Sequence, residues 1–599
     1  MRTKLKKFFH GRIPDLLLLI GFPVFLTYLA ECNSSQNVVE VFNFFSAHPT
    51  VMLFDFLFFA VVFLALSLLV KYYSISVGIL GTLVWLLSSV EYFKFGVSGT
   101  HFVVSDMIVF LSGATAALDS YVDIRFNFLM ILHAIILLLL CFLCAYFKLQ
   151  LRFQTPFPKA GGAIALCMMV LFFAYPTCAN AVYHAFGVDN EKSRNIYMTN
   201  RKYESNAFFA TFLQSVTETV ENSFEMPVDY SEEKVEKTLS RFLCTNGFES
   251  EAEKPTVIFI MDEAFSDFRT FFKSEKLADY YRDYDAVLSS PSVRTIQTVV
   301  PTFGSYTCRS EFELMFGLPI YSLADVPTPH LKIPSGRKAL SVPMRLQACG
   351  YKTTYIHPFV GGSYKRDEYF TDFGFDRVLF LSDLADTYSE NDYRRGYLSD
   401  AAAFQSVKDI LSETDEAQYI FLCTMQNHQP YFSDDKTQTE FDVYLDGVQK
   451  TSSALLELIS WLENYPRDCV LVFGGDHYPL FSSDETVYKS VIQDDSQMDQ
   501  LFFKDYLIFE NHGAKHLKNS QLPQENISLF YLPNAVLRLC GYRDTLSDCI
   551  DDCMKTTPVY SGCIDKHQSK NDVLDTLTYD LVMGEEYASQ YVFAEEKAS

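Results

Sequence analysis

The sequence predicts two structural classes in one chain: an N-terminal bundle of five transmembrane helices, then an extracellular α/β domain with a mostly parallel sheet covered by helices on both faces. Three observations predict it. Long apolar runs with few charges fill the first 185 residues. From Pro255 onward, short β-rich apolar segments alternate with helical patterns, the signature of a covered parallel sheet. Basic residues collect in alternate loops between the apolar runs, which gives the chain a direction across a bilayer. At 599 residues, with 49% hydrophobic and 16% aromatic content, the chain is long enough for several units and too apolar to be disordered. The formal net charge of −24 arises in the second part and argues against nucleic acid as a partner.

The membrane spans are expected at about 14–30, 51–70, 74–92, 127–146 and 160–179, each near the roughly 20 residues that cross a bilayer. The segment MRTKLKKFFHGR places five Lys or Arg before the first span. Further spans follow it and no small-residue cleavage site is evident, so a membrane helix is expected there rather than a signal peptide. With Lys71, Lys148, Arg152 and Lys159, one set of loops holds nine basic residues, whereas the other holds Lys94 and Arg125. The basic set is cytoplasmic, and five crossings put the remainder outside. Gly96 to Tyr121 is semi-polar, with Asp106 inside an apolar segment, and is expected to lie in the interface. A sixth crossing there would move the large domain inside. The chain thus divides into a transmembrane domain, 1–185, a juxtamembrane helical connector, 186–250, and the extracellular domain, 251–599. Helical patterns in and beside the connector run from Ala207 to Val220 and from Ser231 to Phe242.

The strands of the outer domain read as TVIFIM, YKTTYIH, YIFLCTM, CVLVFGG and DYLIFE, with helices such as Ser399 to Leu411 and Gly447 to Asn464 between them. Ligands collect at the carboxyl ends of strands in such sheets. Here those ends carry polar groups that an apolar strand does not need: Asp262-Glu263, His357, Gln426-Asn427-His428 and Asp476-His477. Thr307 follows the β-branched run Ser292 to Val300 and a Pro-Thr-Phe-Gly turn, and precedes an amphipathic segment with Phe312, Leu314, Met315 and Phe316. Its hydroxyl therefore sits where a strand gives way to a helix, near backbone N–H groups that favour an anion. Two carboxylates, an imidazole and a hydroxyl make a ligand set for one divalent cation, with Mn²⁺, Zn²⁺ or Mg²⁺ suited to mixed N and O donors. A cation there lowers the pKa of the Thr307 hydroxyl and stabilises charge on a phosphoryl oxygen. Each group alone has an ordinary alternative: Thr307 as an N-cap, His357 and His428 as core histidines, the carboxylates as caps.

Glu263 after its strand, the run from Gly304 to Glu313, Asn427 to Pro430 as NHxP, and Gly475 to His477 as GDH occur in the order found in the lipoteichoic acid synthases. The chain resembles that family and related phosphoglycerol transferases, sulfatase-like members of the alkaline phosphatase superfamily. The resemblance extends to Asn206-Ala207-Phe208 and to Tyr230 to Glu233 in the connector. It implies a sulfatase-like outer domain, with metal ligands at Glu263, Thr307, Asp476 and His477 and with Thr307 as nucleophile. It also implies His428 as proton donor or acceptor, and His357, Tyr364, Arg366 and His428 as contacts to the substrate phosphate and head group. Where the family carries a Lys before the nucleophile, a His two before the metal Glu and an Asp two after the first substrate His, this chain has Tyr306, Met261 and Phe359. These departures leave the ligand set intact and change the polar surroundings of the head group.

Asp262 should point to the opposite face from Glu263 and stays outside the ligand set. His512 lies past a strand end without a motif, and Asp55 near the outer end of the second span fits an interfacial carboxylate. Arg309 and Glu311 read as structural partners of the nucleophile turn. Nine of the fourteen Cys lie beyond the last span, and Cys540, Cys549, Cys553 and Cys563 near the C-terminus are candidates for one or two disulfides in an oxidising compartment.

The function implied is a bacterial plasma-membrane transferase, using one divalent cation, Mn²⁺ before Mg²⁺ or Zn²⁺. It would move a phosphoglycerol-like group from a phosphatidylglycerol-like phospholipid to a cell-envelope polymer or glycan through a threonine-linked intermediate. Phosphoethanolamine transfer, phosphate or sulfate ester hydrolysis at the same site, and a catalytically inactive membrane scaffold stay open as alternatives.

Overall fold

The computed structural model describes residues 12–111, 126–151, 158–191, 193, 196–221, 226–244, 246–248, 254–433, 435, 437–481, 485–492, 495–519, 522–523, 525–564 and 570–593. The chain divides into two compact units, Met1–Ile108 with Tyr121–Ser223, and Val109–Ser120 with Phe224–Ser599.

In the first unit the apolar runs form helices Arg12–Ser35, Pro49–Val70, Tyr73–Ser98 and Phe128–Tyr146. Each is long and apolar enough to cross a membrane. The fifth expected span, 160–179, is not one straight helix. Pro158–Ala174 ends before Pro176, where Pro176–Phe186 sets off at a bend of 94°. Proline offers no N–H to the preceding turn and its ring crowds the carbonyl four residues back, so the helix breaks there. Among the described residues the candidate spans number four, or five if the bent pair is one crossing. The expected interfacial stretch Gly96 to Tyr121 lies outside the described residues from 112 onward. Outward-facing Leu138 and Val170 are about 70% exposed, at 71% and 68%, as side chains facing lipid would be. Polar groups turn inward instead: Asn33 Nδ2 donates to Ser88 Oγ and Ser89 Oγ at 2.9 and 2.8 Å. Helix Ile196–Glu221 is interrupted at Ala207 (φ 54°), and the N–H groups of Phe208 and Phe209 donate to the Glu31 carboxylate at 2.8 and 3.0 Å.

In the second unit the apolar segments form β1 (Thr256–Asp262), β2 (Val293–Val299), β3 (Lys352–His357), β4 (Arg377–Phe380), β5 (Gln418–Cys423), β6 (Cys469–Gly475), β7 (Phe503–Glu510) and β8 (Ile527–Ser528). Among the described residues these make one eight-stranded sheet, ordered β8-β2-β7-β6-β1-β5-β3-β4. It is parallel except at β7, which runs antiparallel to both β2 and β6. Alternation along β1 sends Val257, Phe259 and Met261 into a core shared with Phe312, Leu314 and Phe316 of helix Thr307–Phe316. On the other face, Phe404 of helix Asp400–Leu411 meets Phe473 of β6, and that helix packs on the long helix Glu440–Leu462. Among the described residues, which include all fourteen cysteines, no disulfide is formed; Cys540, Cys549, Cys553 and Cys563 are buried as small apolar groups.

Candidate active site

Parallel register brings the first two site residues together. Asp262 of β1 lies opposite Gly475 of the adjacent β6, so the next residues, Glu263 and Asp476, leave neighbouring strands side by side. The two turns are then tied to each other. Ala264, at φ 54°, donates its N–H to Asp476 Oδ1 at 2.8 Å, and the same oxygen accepts from His477 N at 2.9 Å. A Cβ on Gly475 would lie 2.0 Å from the Phe265 carbonyl, so only glycine permits this approach. From the other side, Glu263 N donates to Thr424 Oγ1, just past β5, at 3.0 Å.

The nucleophile candidate arrives from β2. Tyr306 adopts a left-handed conformation (φ 62°) that turns the chain into helix Thr307–Phe316. Thr307 stands at the first helical position and its Oγ1 donates to Glu263 Oε2 at 3.3 Å. Three residues on, Ser310 Oγ donates to the Asp476 carbonyl at 2.7 Å and fastens the helix to the second turn.

Glu263, Asp476 and His477 each present a ligand atom, all within 4.8 Å of one another, and all three residues are buried. The residues fit a divalent cation. His477 Nδ1 donates to the Tyr478 carbonyl at 2.9 Å, which leaves the lone pair on Nε2, 3.2 Å from Asp476 Oδ2. That Asp476 oxygen is buried and makes no hydrogen bond. Burial, and after it the Asp476 charge, pushes the Glu263 carboxyl well above its usual range. Two carboxylates facing each other in a dry site need a positive charge between them. Two oxygens, an imidazole nitrogen and a nearby hydroxyl are donors suited to Mn²⁺, Zn²⁺ or Mg²⁺.

One cavity is lined by Glu263, Thr307, Tyr364, His428 and His477, with Tyr306, Tyr431, Ser305 and Gln429 among the other walls. Asp476 joins Glu263 and His477 in the ligand cluster. His357 and Arg366 are held elsewhere than the cavity wall. His357 Nδ1 donates to the Cys423 carbonyl at 2.9 Å, and its Nε2 accepts from Arg366 Nη1 at 3.3 Å. Arg366 pairs with Glu311 at 3.1 Å and stacks over Tyr364, with 5.1 Å from Cζ to the ring centroid. Glu311 also accepts from Tyr355 OH at 2.6 Å. Two of the four residues that the resemblance implies as phosphate and head-group contacts, His357 and Arg366, are thus engaged with each other, and Arg366 with the helix that begins at Thr307. Asp262 turns away from the cluster and accepts from Thr424 Oγ1 and Asn427 Nδ2 at 3.1 and 3.2 Å.

Sequence reasoning missed two cations of the site's support. Arg395 donates to the carbonyls of Gln426, His428 and Pro430 at 2.7, 3.0 and 2.7 Å, fixing the loop that carries His428. Lys504, only 4% exposed, stands near the start of strand β7. The one basic residue of the strand segment FKDYLIFE was the available signal for Lys504; nothing local marked Arg395.

Residues 255–542 match the family described as Sulfatase. Among curated proteins, the capsular polysaccharide biosynthesis protein RkpI of Rhizobium meliloti (strain 1021) is 29% identical over 238 residues, covering 39% of this chain and 42% of that protein. A putative cyclic beta-1,2-glucan modification protein of the same organism is 28% identical over 262 residues, covering 40% and 37%. The matches thus span less than half the length of either relative. Among solved structures, the integral membrane lipooligosaccharide phosphoethanolamine transferase A (EptA) of Neisseria meningitidis is similar over 89% of this chain and 98% of its own. The TM-score is 0.53 at 12% identity, a likeness of fold.

Proposed function

We propose that the protein is a metal-dependent transferase of a phosphoglycerol-like group from a phospholipid to a cell-envelope glycan or polymer, a reading supported by the Sulfatase family match of residues 255–542 and by the apolar helices that precede them. One observation carries the reading: the Thr307 hydroxyl, at a helix start, reaches to 3.3 Å from Glu263, within the Glu263, Asp476 and His477 cluster. A bound divalent cation, Mn²⁺ before Mg²⁺ or Zn²⁺, would be held by Glu263, Asp476, His477 and Thr307, and would favour the ionised hydroxyl and offset charge on the phosphate oxygens.

Thr307 Oγ attacks the lipid phosphorus, the bond from phosphorus to the diacylglycerol oxygen breaks, and the head group stays on Thr307 as a phosphodiester. The leaving oxygen takes a proton, and His428 is the group to supply it. His428 Nδ1 donates to the Gln429 carbonyl at 2.5 Å, so Nε2 exchanges the proton. Burial pushes the His428 imidazole down to about 4, so the neutral form prevails and the proton it gives must first be acquired from the incoming nucleophile. In the second half an acceptor hydroxyl loses its proton to the same nitrogen and attacks phosphorus, the bond from phosphorus to Thr307 Oγ breaks, and that proton passes to Thr307 Oγ. The names of the two Rhizobium relatives, which concern a capsular polysaccharide and a cyclic glucan, support a glycan as acceptor.

A second reading, phosphoethanolamine transfer, is favoured by the Tyr306, Tyr364 and Tyr431 walls, because aromatic faces attract an ammonium group. Incubating the purified protein with phosphatidylglycerol and phosphatidylethanolamine carrying different head-group labels separates the two. Mass spectrometry of the Thr307 peptide is expected to find the glycerophosphoryl adduct, absent from Thr307→Ala. The ethanolamine label there selects the second reading, and no adduct from either lipid leaves the inactive scaffold.

A further inference from the structure

Lys504 Nζ donates to the Phe265 carbonyl and to Ser266 Oγ. It also approaches the His477 carbonyl at 3.4 Å and stands 4.3 Å from the centroid of the Tyr478 ring. Phe265 and Ser266 belong to the turn that carries Glu263, whereas His477 and Tyr478 belong to the turn that carries the other two cluster residues. Ser266 Oγ passes the contact on by donating to the Ala264 carbonyl at 2.9 Å. Ala264 holds a left-handed conformation that an alanine adopts at a cost and keeps only where its surroundings hold it. Beyond the last paired residues of β1 and β6 no ladder bond fixes these turns, so side chains must do it. Lys504 reaches both from the adjacent antiparallel strand, where its backbone is paired with Thr298 of β2.

We propose that Lys504 is a positioning residue that clamps the two ligand-bearing turns together and so preforms the cation site; this rests on the reading of Glu263, Asp476 and His477 as metal ligands. The sign of its effect distinguishes a clamp from a simple charge. Where it carries its proton, Lys504 lies within electrostatic reach of Asp476 and repels an incoming cation, so at fixed geometry its removal would leave metal binding unchanged or tighter. As a clamp, its removal must loosen binding, because the free energy of bringing Glu263 to the other two ligands is then drawn from the binding step.

The test is titration of the metal-free full-length protein in lipid nanodiscs with Mn²⁺ by calorimetry. Wild type and Lys504→Arg, which keeps the donors, are expected to bind one ion with similar affinity. Lys504→Met is expected to bind about tenfold more weakly. Ser266→Ala keeps the ammonium, removes one contact, and is expected to lose a smaller factor in the same direction. Equal or tighter binding by folded Lys504→Met overturns the proposal. If that variant does not fold, unchanged affinity in Ser266→Ala overturns it. Wild type that binds no Mn²⁺, while Asp476→Asn behaves identically, overturns the metal reading itself and the clamp with it.

Discussion

A histidine withdrawn from solvent has to choose between a proton and a lone pair, and both the buried His330 and the half-buried His428 of the cavity wall keep the lone pair. Burial is the first cause in each, and it pushes both imidazoles from 6.5 down to about 4. Hydrogen bonds to backbone carbonyls, His330 to Tyr364 at 2.7 Å and His428 to Gln429, work against that shift without reversing it. In the unfolded chain the same side chains take up protons near 6.5. Between pH 6.5 and about 4 the unfolded state therefore binds more protons than the fold, and stability falls as the pH drops through that window. The slope is about 1.4 kcal/mol per pH unit for each group. Unfolding of the nanodisc-embedded protein at pH 7 and at pH 4.5 is expected to show this loss, and His330→Gln, which retains a donor for the carbonyl, should recover part of it. An identical loss in that variant would show that His330 does not titrate in this range. At the same scale, the buried Arg366 and Glu311 pair illustrates what a motif leaves unsaid. A sequence resemblance marks Arg366 as a substrate contact, and only its neighbours reveal that Glu311, one turn along from Thr307, already engages it.

At the scale of elements, the site is a product of strand register. The parallel pairing of β1 with β6 makes Asp262 face Gly475, and every later contact between the two turns depends on that alignment. Gly475 is the position where the alignment is most exposed to damage. An added methyl would sit 2.0 Å from a backbone oxygen, which no rotamer change relieves. Gly475→Ala is expected to cost about 1–3 kcal/mol of stability, as overpacked sites do, and to weaken Mn²⁺ binding because the Glu263 turn must move away. Gly161→Ala, where a Cβ meets nothing within 4 Å, serves as the control and should change neither property. Thermal unfolding together with the Mn²⁺ titration reads both effects. Wild-type affinity in Gly475→Ala would mean that the two turns adjust independently.

At the scale of the whole molecule, among the described residues four helices, or five with the bent pair as one crossing, are long and apolar enough to cross a membrane. The basic loops predict that the unit holding residues 255–542, which match the Sulfatase family, lies outside the cytoplasm. In a parent lacking exposed Cys167 and Cys178, a cysteine at exposed Ser460 should react with a membrane-impermeant maleimide in intact cells. One at exposed Lys159 should react only after the membrane is opened. The reverse pattern would place the domain inside. The sequence by itself determined the apolar spans, the alternation of strands and helices, the inventory of polar groups at strand ends and the hydroxyl at a helix start. Each of these depends on a residue's own chemistry and its near neighbours, which a periodic pattern records. Only the tertiary structure decided that the fifth apolar run bends at Pro176, that the C-terminal cysteines form no disulfide, that Arg366 meets Glu311, and that Lys504 bridges two turns more than two hundred residues apart. Those outcomes are settled by register, close packing and the need of buried polar atoms for partners. Such partners come from distant segments of the chain, so no local stretch of sequence carries them.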